Sequence, residues 1–217
     1  IFSYTYFSSN RTNFIISTDK DFENNSFINK DKGCGIKANE KGLRKKISHV
    51  VIEKVNNIKL SNGIFECSNK SLFFINDSQN ILISNIDASK GSDNIFQSDN
   101  SSVILEDSKI SFNKNNKCIE ADNGILILID NTIENCTIGL EIESSISNKE
   151  PVIVILLDNT FRKINRDIIW CFDNGNPKKS NIFLFKKNND LNGKAYEGKK
   201  NICKNIIDID FELEKAI

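Results

Sequence analysis

The sequence has no methionine, two prolines, one histidine and one tryptophan in 217 residues, and each scarcity narrows the reading. With no Met even at position 1, the chain is expected to be a mature product or a fragment of a longer one. Two prolines exclude a Pro-rich linker or stalk. No apolar run approaches the roughly 18 residues of a membrane-spanning helix, so no transmembrane segment is expected. Lys+Arg and Asp+Glu both number 29, which leaves no net charge to draw the chain to nucleic acid or an acidic membrane surface. Short basic runs such as Arg44-Lys45-Lys46 and Lys178-Lys179 read as solvated turns. His49 is the sole candidate base for Ser–His–Asp chemistry, and its apolar context "SHVVI" reads as structural. No cysteine pair has CxxC spacing and no glycine-rich phosphate loop occurs, so neither a metal nor a cofactor is expected.

The remaining composition, 39% hydrophobic and 27% charged, is that of a soluble chain long enough for one domain with a sizeable core. An excess of Asn, Ile and Lys reads as base-composition bias rather than function. Six cysteines, Cys34, Cys67, Cys118, Cys136, Cys171 and Cys203, are evenly spread. Their even number fits disulfides in an oxidising compartment, with buried free thiols as the alternative and the connectivity open. Sequons at Asn10, Asn24, Asn69, Asn76, Asn100 and Asn135 permit secretion without demonstrating it. The expected location is secreted or cell surface.

A repeat organises the chain. "ILISNIDAS" (81–89), "VILEDSKIS" (103–111), "LILIDNTIE" (126–134), "IVILLDNTF" (153–161) and "IFLFKKNND" (182–190) each pair an apolar strand with a polar bend. Aligned on Ile83, Leu105, Leu128, Leu156 and Phe185, they recur every 22 to 29 residues, and Ile52 extends the series backward. A second strand follows each, placing Ile36, Ile64, Ile95, Ile119, Leu140 and Ile169 in register. No stretch has a helical period long enough for a crossover helix, which disfavours a βαβ sheet and favours stacked coils around a continuous core.

The "LIDNTI" (128–133) and "LLDNTF" (156–161) segments, joined to the "GIxx" strand, resemble the right-handed parallel β-helix of the pectin-lyase-like superfamily. The expected fold is all-β, a right-handed single-stranded parallel β-helix (β-solenoid) of about six coils. A single domain over 1–217 is expected, with an N-terminal coil or cap at 1–46, core coils at 47–191 and a C-terminal cap at 192–217. The resemblance implies a partial internal ladder of bend asparagines at Asn131, Asn159 and Asn188, which Ile86 and Ser108 interrupt. It leaves function open, because that superfamily spans polysaccharide lyases, hydrolases, adhesins and structural proteins.

Alternation along the second strand gives an outward column of Lys37, Phe65, Phe96, Glu120, Glu141 and Trp170. Glu120 and Glu141 on neighbouring strands stand at about the 5 Å that a retaining glycosidase needs between acid and nucleophile. Phe65, Phe96 and Trp170 are candidate sugar-stacking rings. The competing reading is an ordinary solvated face. Asp107, Asp130 and Asp158 align in successive repeats, with Arg162 and Arg166 nearby, as a calcium-dependent lyase requires, but Asp at a bend also caps its own turn. Sparse Thr and irregular steps exclude a flat ice-binding array.

If Leu126 and Leu128 point inward, then Ile125, Ile127 and Ile129 point outward. In the next repeat Ile153, Ile155 and Leu157 do the same, and Phe183 and Phe185 inward leave Ile182 and Leu184 outward. Such a face is too large to leave bare. Either an internal cover, from "NIIDIDFELEKAI" (205–217) or "IFSYTYF" (1–7), or a protein partner or second copy is expected on it. The expectation is a non-catalytic structural, adhesive or assembly protein. A carbohydrate-active enzyme or glycan-binding module using the Glu120/Glu141 face is the alternative.

Overall fold

The computed structural model describes residues 50–68, 71–91, 93–144, 151–173, 182–192, 203 and 205–209, with backbone only for Cys67, 112–115 and Asp173. Of the first 49 residues it describes the backbone of four short strands, Thr5–Phe7, Phe14–Ile16, Asp21–Glu23 and Asn25–Ile28. Cys34, Ile36, Lys37 and His49 lie outside the described residues, as does most of the expected N-terminal cap.

The chain is all-β, and every described strand pairing is parallel. Each repeat contributes three strand segments to three separate pairing ladders. The first ladder runs through Val50–Glu53, Phe73–Asn76, 96–99, 119–122, 140–144 and Asp167–Asp173. The second runs through 56–61, 79–84, 101–106, 124–129, Val152–Leu157, Ile182–Lys187 and Asn205–Asp208. The third joins 63–66, 86–89, 109–111, 132–134, Thr160–Arg162 and Asp190–Leu191. One continuous strand, Lys109–Ile129, bends through all three.

Second-ladder partners Leu60, Ile83, Leu105, Leu128 and Leu156 are all buried and follow one another at offsets of 22 to 28 residues. Leu126 and Leu128 are core, as the alternation requires. The expected register fails at four places. Leu156 pairs with Lys186, so Phe185 lies opposite Ile155. Ile182 and Leu184 are therefore the buried pair, while Phe183 and Phe185 face out. A one-residue slip inverts every side chain of a strand, and an all-apolar "IFLF" carries no polar residue to mark its faces. Ile52 pairs with Ile75 in the first ladder, so Leu60 occupies the place expected of it. Ile64 belongs to the third ladder, where it is exposed, and Phe96 rather than Ile95 pairs with Ile119. Ile95 sits at a corner, accepting backbone N–H groups from Leu72 and Phe73 and donating to Cys118 O. Ile95 and Phe96 are both buried, so alternation is interrupted just where the register was read.

Asparagine and aspartate supply most of the bends. Positive-φ residues other than glycine are mostly Asn and Asp, and Asn62, Asn85, Asp107, Asp130, Asp158 and Asn188 hold equivalent bends between the second and third ladders. Left-handed backbone is costly for most L-residues, and Asn and Asp tolerate it best after glycine. The residue after each bend points inward. There Asn131 and Asn159 form a buried ladder that continues to Asn189, not Asn188, because Asn188 itself makes the turn. Ser108 extends the ladder by accepting Ile86 N–H and taking Asn131 Oδ1 on its own N–H. At Gly124, a Cβ would meet Ser101 O at 2.3 Å, and φ is +81°, so this bend requires glycine.

One inward column of the second ladder turns from apolar to charged. Lys186 occupies the position that follows Leu156 in the inward column, and its ammonium lies 2.8 Å from Asp208. Among the described residues, the disulfides Cys118–Cys136 and Cys171–Cys203 join successive parts of the repeat. No helix among the described residues is long and apolar enough to cross a membrane.

Candidate functional site: an acidic outer face

Strand alternation on the first ladder places two columns outward. One runs Phe74, Gln97, Glu120, Glu141, Trp170, and the next runs Asn76, Asp99, Asp122, Glu143, Phe172. The expected adjacency of Glu120 and Glu141 is therefore present, with Trp170 beside Glu141. Asp122 and Glu143, two residues further along the same strands in "EAD" and "EIE", extend the expected pair to a carboxylate cluster.

Phe65 and Phe96 are not on this face. Both are fully buried: Phe65 packs edge-on against Phe73 at 4.6 Å, and Phe73 stacks on Phe96 at 5.7 Å. Phe65 lies in the third ladder opposite Ala88, and Phe96 faces inward as the partner of Ile119. Neither ring can reach a glycan. Trp170 is half-buried outside, with the Arg166 guanidinium 4.3 Å from its ring centre.

Lys117 organises the pair. Its ammonium meets Glu120 Oε1 at 2.9 Å and contacts Glu141 Oε1, while Asn94 Nδ2 donates to Glu120 Oε2. Burial alone would lower the Lys117 pKa, but Glu141 and Glu120 raise it above its ordinary value. The Glu141 carboxyl is raised by burial and by Glu120 and Glu143, against the pull of Lys117. Glu143 is raised by burial and by Glu120. Asp122 is pushed up to about 8, first by burial and then by Glu120, Glu143 and Asp99. Glu120 and Glu141 are only 8% and 4% exposed. An acid and nucleophile must both touch the scissile bond, and this pair is instead buried around a shared ammonium.

Elsewhere on the surface, Ile125, Ile127, Ile129, Ile153, Ile155 and Leu157 all point outward from the second ladder, with Ile125 38% exposed. Leu82, Ile104, Phe185 and Ile207 continue the Ile127/Ile155 column in both directions. The expected internal covers lie elsewhere in their described parts. Asn205–Asp208 adds a strand to the same ladder and contributes Ile207 to the face, while Thr5–Phe7 pairs with Asn25–Phe27. Residues 210–217 lie outside the described residues.

Asp107, Asp130 and Asp158 are exposed bend residues. Slight burial and the neighbouring Asp158 and Asp107 carboxylates raise Asp130. An open groove of about 610 Å³ follows this bend past Asn62, Ile64, Asn85, Asp107, Lys109 and Asp130, away from the acidic face.

On the third ladder Glu134 is buried between Arg162 Nε at 2.7 Å and Lys109 Nζ at 3.2 Å. Burial pushes its carboxyl up, but the two cations outweigh it and hold the group below its ordinary value. Stability from such a depressed carboxyl is present at neutral pH and is lost as pH falls through the folded-state pKa. Arg162→Ala is expected to cost about 1 kcal/mol at pH 7, since Arg162 is half exposed and Lys109 remains. Urea titrations across pH check it: the difference from wild type should shrink toward zero below roughly pH 4.

No protein-family model matches the chain, and neither does any curated protein.

Proposed function

We propose that the parallel all-β architecture is a right-handed single-stranded β-helix of about six coils, of the pectin-lyase-like kind, and that it serves a non-catalytic structural, adhesive or assembly role. The observation that carries this reading is the outer face of the second ladder, apolar through Leu82, Ile104, Ile127, Ile155, Phe185 and Ile207 on successive strands. A face of several hundred Å² of this kind marks an interaction surface. A second copy of the chain is the occupant that fits it. The six central residues carry no charge to be matched, and with 29 residues of each sign, two copies meet without net repulsion. The Cys118–Cys136 and Cys171–Cys203 disulfides support a secreted or surface location.

Light scattering across a concentration series tests the proposal. Wild type is expected to self-associate, and Ile127→Asp or Ile155→Asp to give a folded monomer with unchanged circular dichroism. Monomeric wild type at high concentration would remove the assembly role. The carbohydrate-active reading rests on Glu120 and Glu141 lying side by side next to Trp170. Polysaccharide turnover that disappears in Glu120→Gln or Glu141→Gln would put that reading in its place.

A further inference from the structure

The apolar face of the second ladder has a centre. Two neighbouring strands, 124–129 and Val152–Leu157, are apolar at all three outward positions: Ile125, Ile127 and Ile129 on one, Ile153, Ile155 and Leu157 on the other. The strand on either side carries one outward charge. Both charges stand in the same column and their signs are opposite. That column reads Glu106, Ile129, Leu157, Lys187 over four successive strands. The middle column stays apolar past both flanks, to Leu82 in one direction and Ile207 in the other. Reversing the order of the strands thus sets apolar against apolar and Glu106 against Lys187, so the face is its own complement in that orientation. Lys187 also interacts within its own chain, which leaves its charge at the same edge of the face.

We propose, resting on the self-association read above, that two copies pair across this face with their repeats running antiparallel, about a two-fold axis that lies along the strands midway between 124–129 and Val152–Leu157. Such an axis keeps each column over its counterpart and reverses the strand order, as an isologous interface requires. Ile127 of one copy then meets Ile155 of the other, Ile104 meets Phe185, and Leu82 meets Ile207. Glu106 meets Lys187 at both ends of the interface. Facing sheets stand about 10 Å apart, a gap that a Glu and a Lys reaching toward each other span. The other two-fold axis, along the stack of repeats, keeps the strand order and exchanges the outer columns. It would lay Lys187 on Phe183 and Glu106 on Ser102, desolvating both charges of each copy with no opposite charge to meet them. Six strands about 4.8 Å apart, each offering about six residues at about 3.3 Å, make a footprint of roughly 550 Å² per copy. Two copies then bury about 1,100 Å², the low end of a specific interface, where the edge charges decide the orientation.

Sedimentation equilibrium at low salt tests the orientation. Glu106→Lys and Lys187→Glu, each made alone, set like charges together twice per dimer and are expected to weaken dimerisation at least about tenfold, with circular dichroism unchanged. The Glu106→Lys/Lys187→Glu double variant restores opposite charges and should dimerise within about threefold of wild type. The weakening in the single variants should fade in about 1 M salt, where screening acts over about 3 Å. Carbodiimide coupling of the wild type gives a second readout. Within one chain Glu106 and Lys187 lie three strands apart, about 14 Å, with Ile129 and Leu157 between them. A Glu106–Lys187 isopeptide bond mapped in the dimer and absent from the monomer therefore joins two copies. Single variants that dimerise like wild type, a double variant as weak as the singles, or a wild-type dimer that yields no such bond would each overturn the antiparallel pairing and leave the assembly role standing. Wild type that stays monomeric at high concentration would remove both.

Discussion

Asn159→Ala is expected to lower the free energy of unfolding by roughly 3 to 5 kcal/mol, although the side chain touches neither the acidic face nor the apolar one. Asn159 is fully buried. Its Nδ2 donates to Leu128 O at 2.8 Å and Leu157 O at 2.9 Å, and its Oδ1 accepts from both Asn131 N and Asn131 Nδ2 at 3.0 Å. Alanine removes these bonds at once and leaves the Asn131 backbone N–H buried without its acceptor. Each such orphan costs about 1–3 kcal/mol, more than the net worth of an ordinary hydrogen bond. Aspartate does not rescue it, because a carboxylate keeps the acceptor but loses both donors and buries a charge. Asn188→Ala is the control: at φ +52° on the surface it should cost only about 1–2 kcal/mol, the penalty for left-handed backbone without Asn. Urea midpoints at constant m-value check both. Equal effects at the two positions would mean that the ladder is not where the register places it.

That contrast also shows what the sequence could and could not carry. The second ladder was legible wherever "DNT" recurs, because Asp130 and Asp158 make the turn and Asn131 and Asn159 point inward in both copies. It was not legible at "FKKNND", where two asparagines follow one another and the extra residue in the step shifts Leu156 onto Lys186. The third ladder was hidden because its strands are short, and because corner residues such as Ile95 and Cys118 are buried beside buried neighbours, which erases the alternation. At the acidic face, Glu120 opposite Glu141 followed from the repeat alone. Lys117 did not, because the register shifts between Asn113 and Lys117, so sequence spacing does not associate its ammonium with Glu141 on the next strand. At the bends, asparagine has a backbone reason that only the φ angles reveal.

Phe96→Ala is expected to destabilise by about 3 to 5 kcal/mol, a core effect where a sugar-stacking ring would show almost none. Phe96 is fully buried, pairs with Phe73 on one side and Ile119 on the other, and stacks on the Phe73 ring at 5.7 Å. Phe73 in turn meets Phe65 edge-on at 4.6 Å, so the three rings form one packed unit bridging the first and third ladders. Truncating the outermost ring removes its transfer free energy and leaves a cavity that parallel strands, fixed by hydrogen bonds on both sides, have little freedom to close. Phe96→Leu keeps most of the volume and should cost no more than about 1.5 kcal/mol. Trp170→Ala gives the opposite pattern. That ring is half-buried on the outer face, held by Arg166 and a tilted contact with Phe172 at 6.0 Å, so about 1 kcal/mol is expected. Urea unfolding of the three variants, each beside its binding to any glycan tested, separates core from contact. A Phe96→Ala protein as stable as wild type but impaired in glycan binding would return that ring to the surface and break the first-ladder register, on which the acidic cluster also depends.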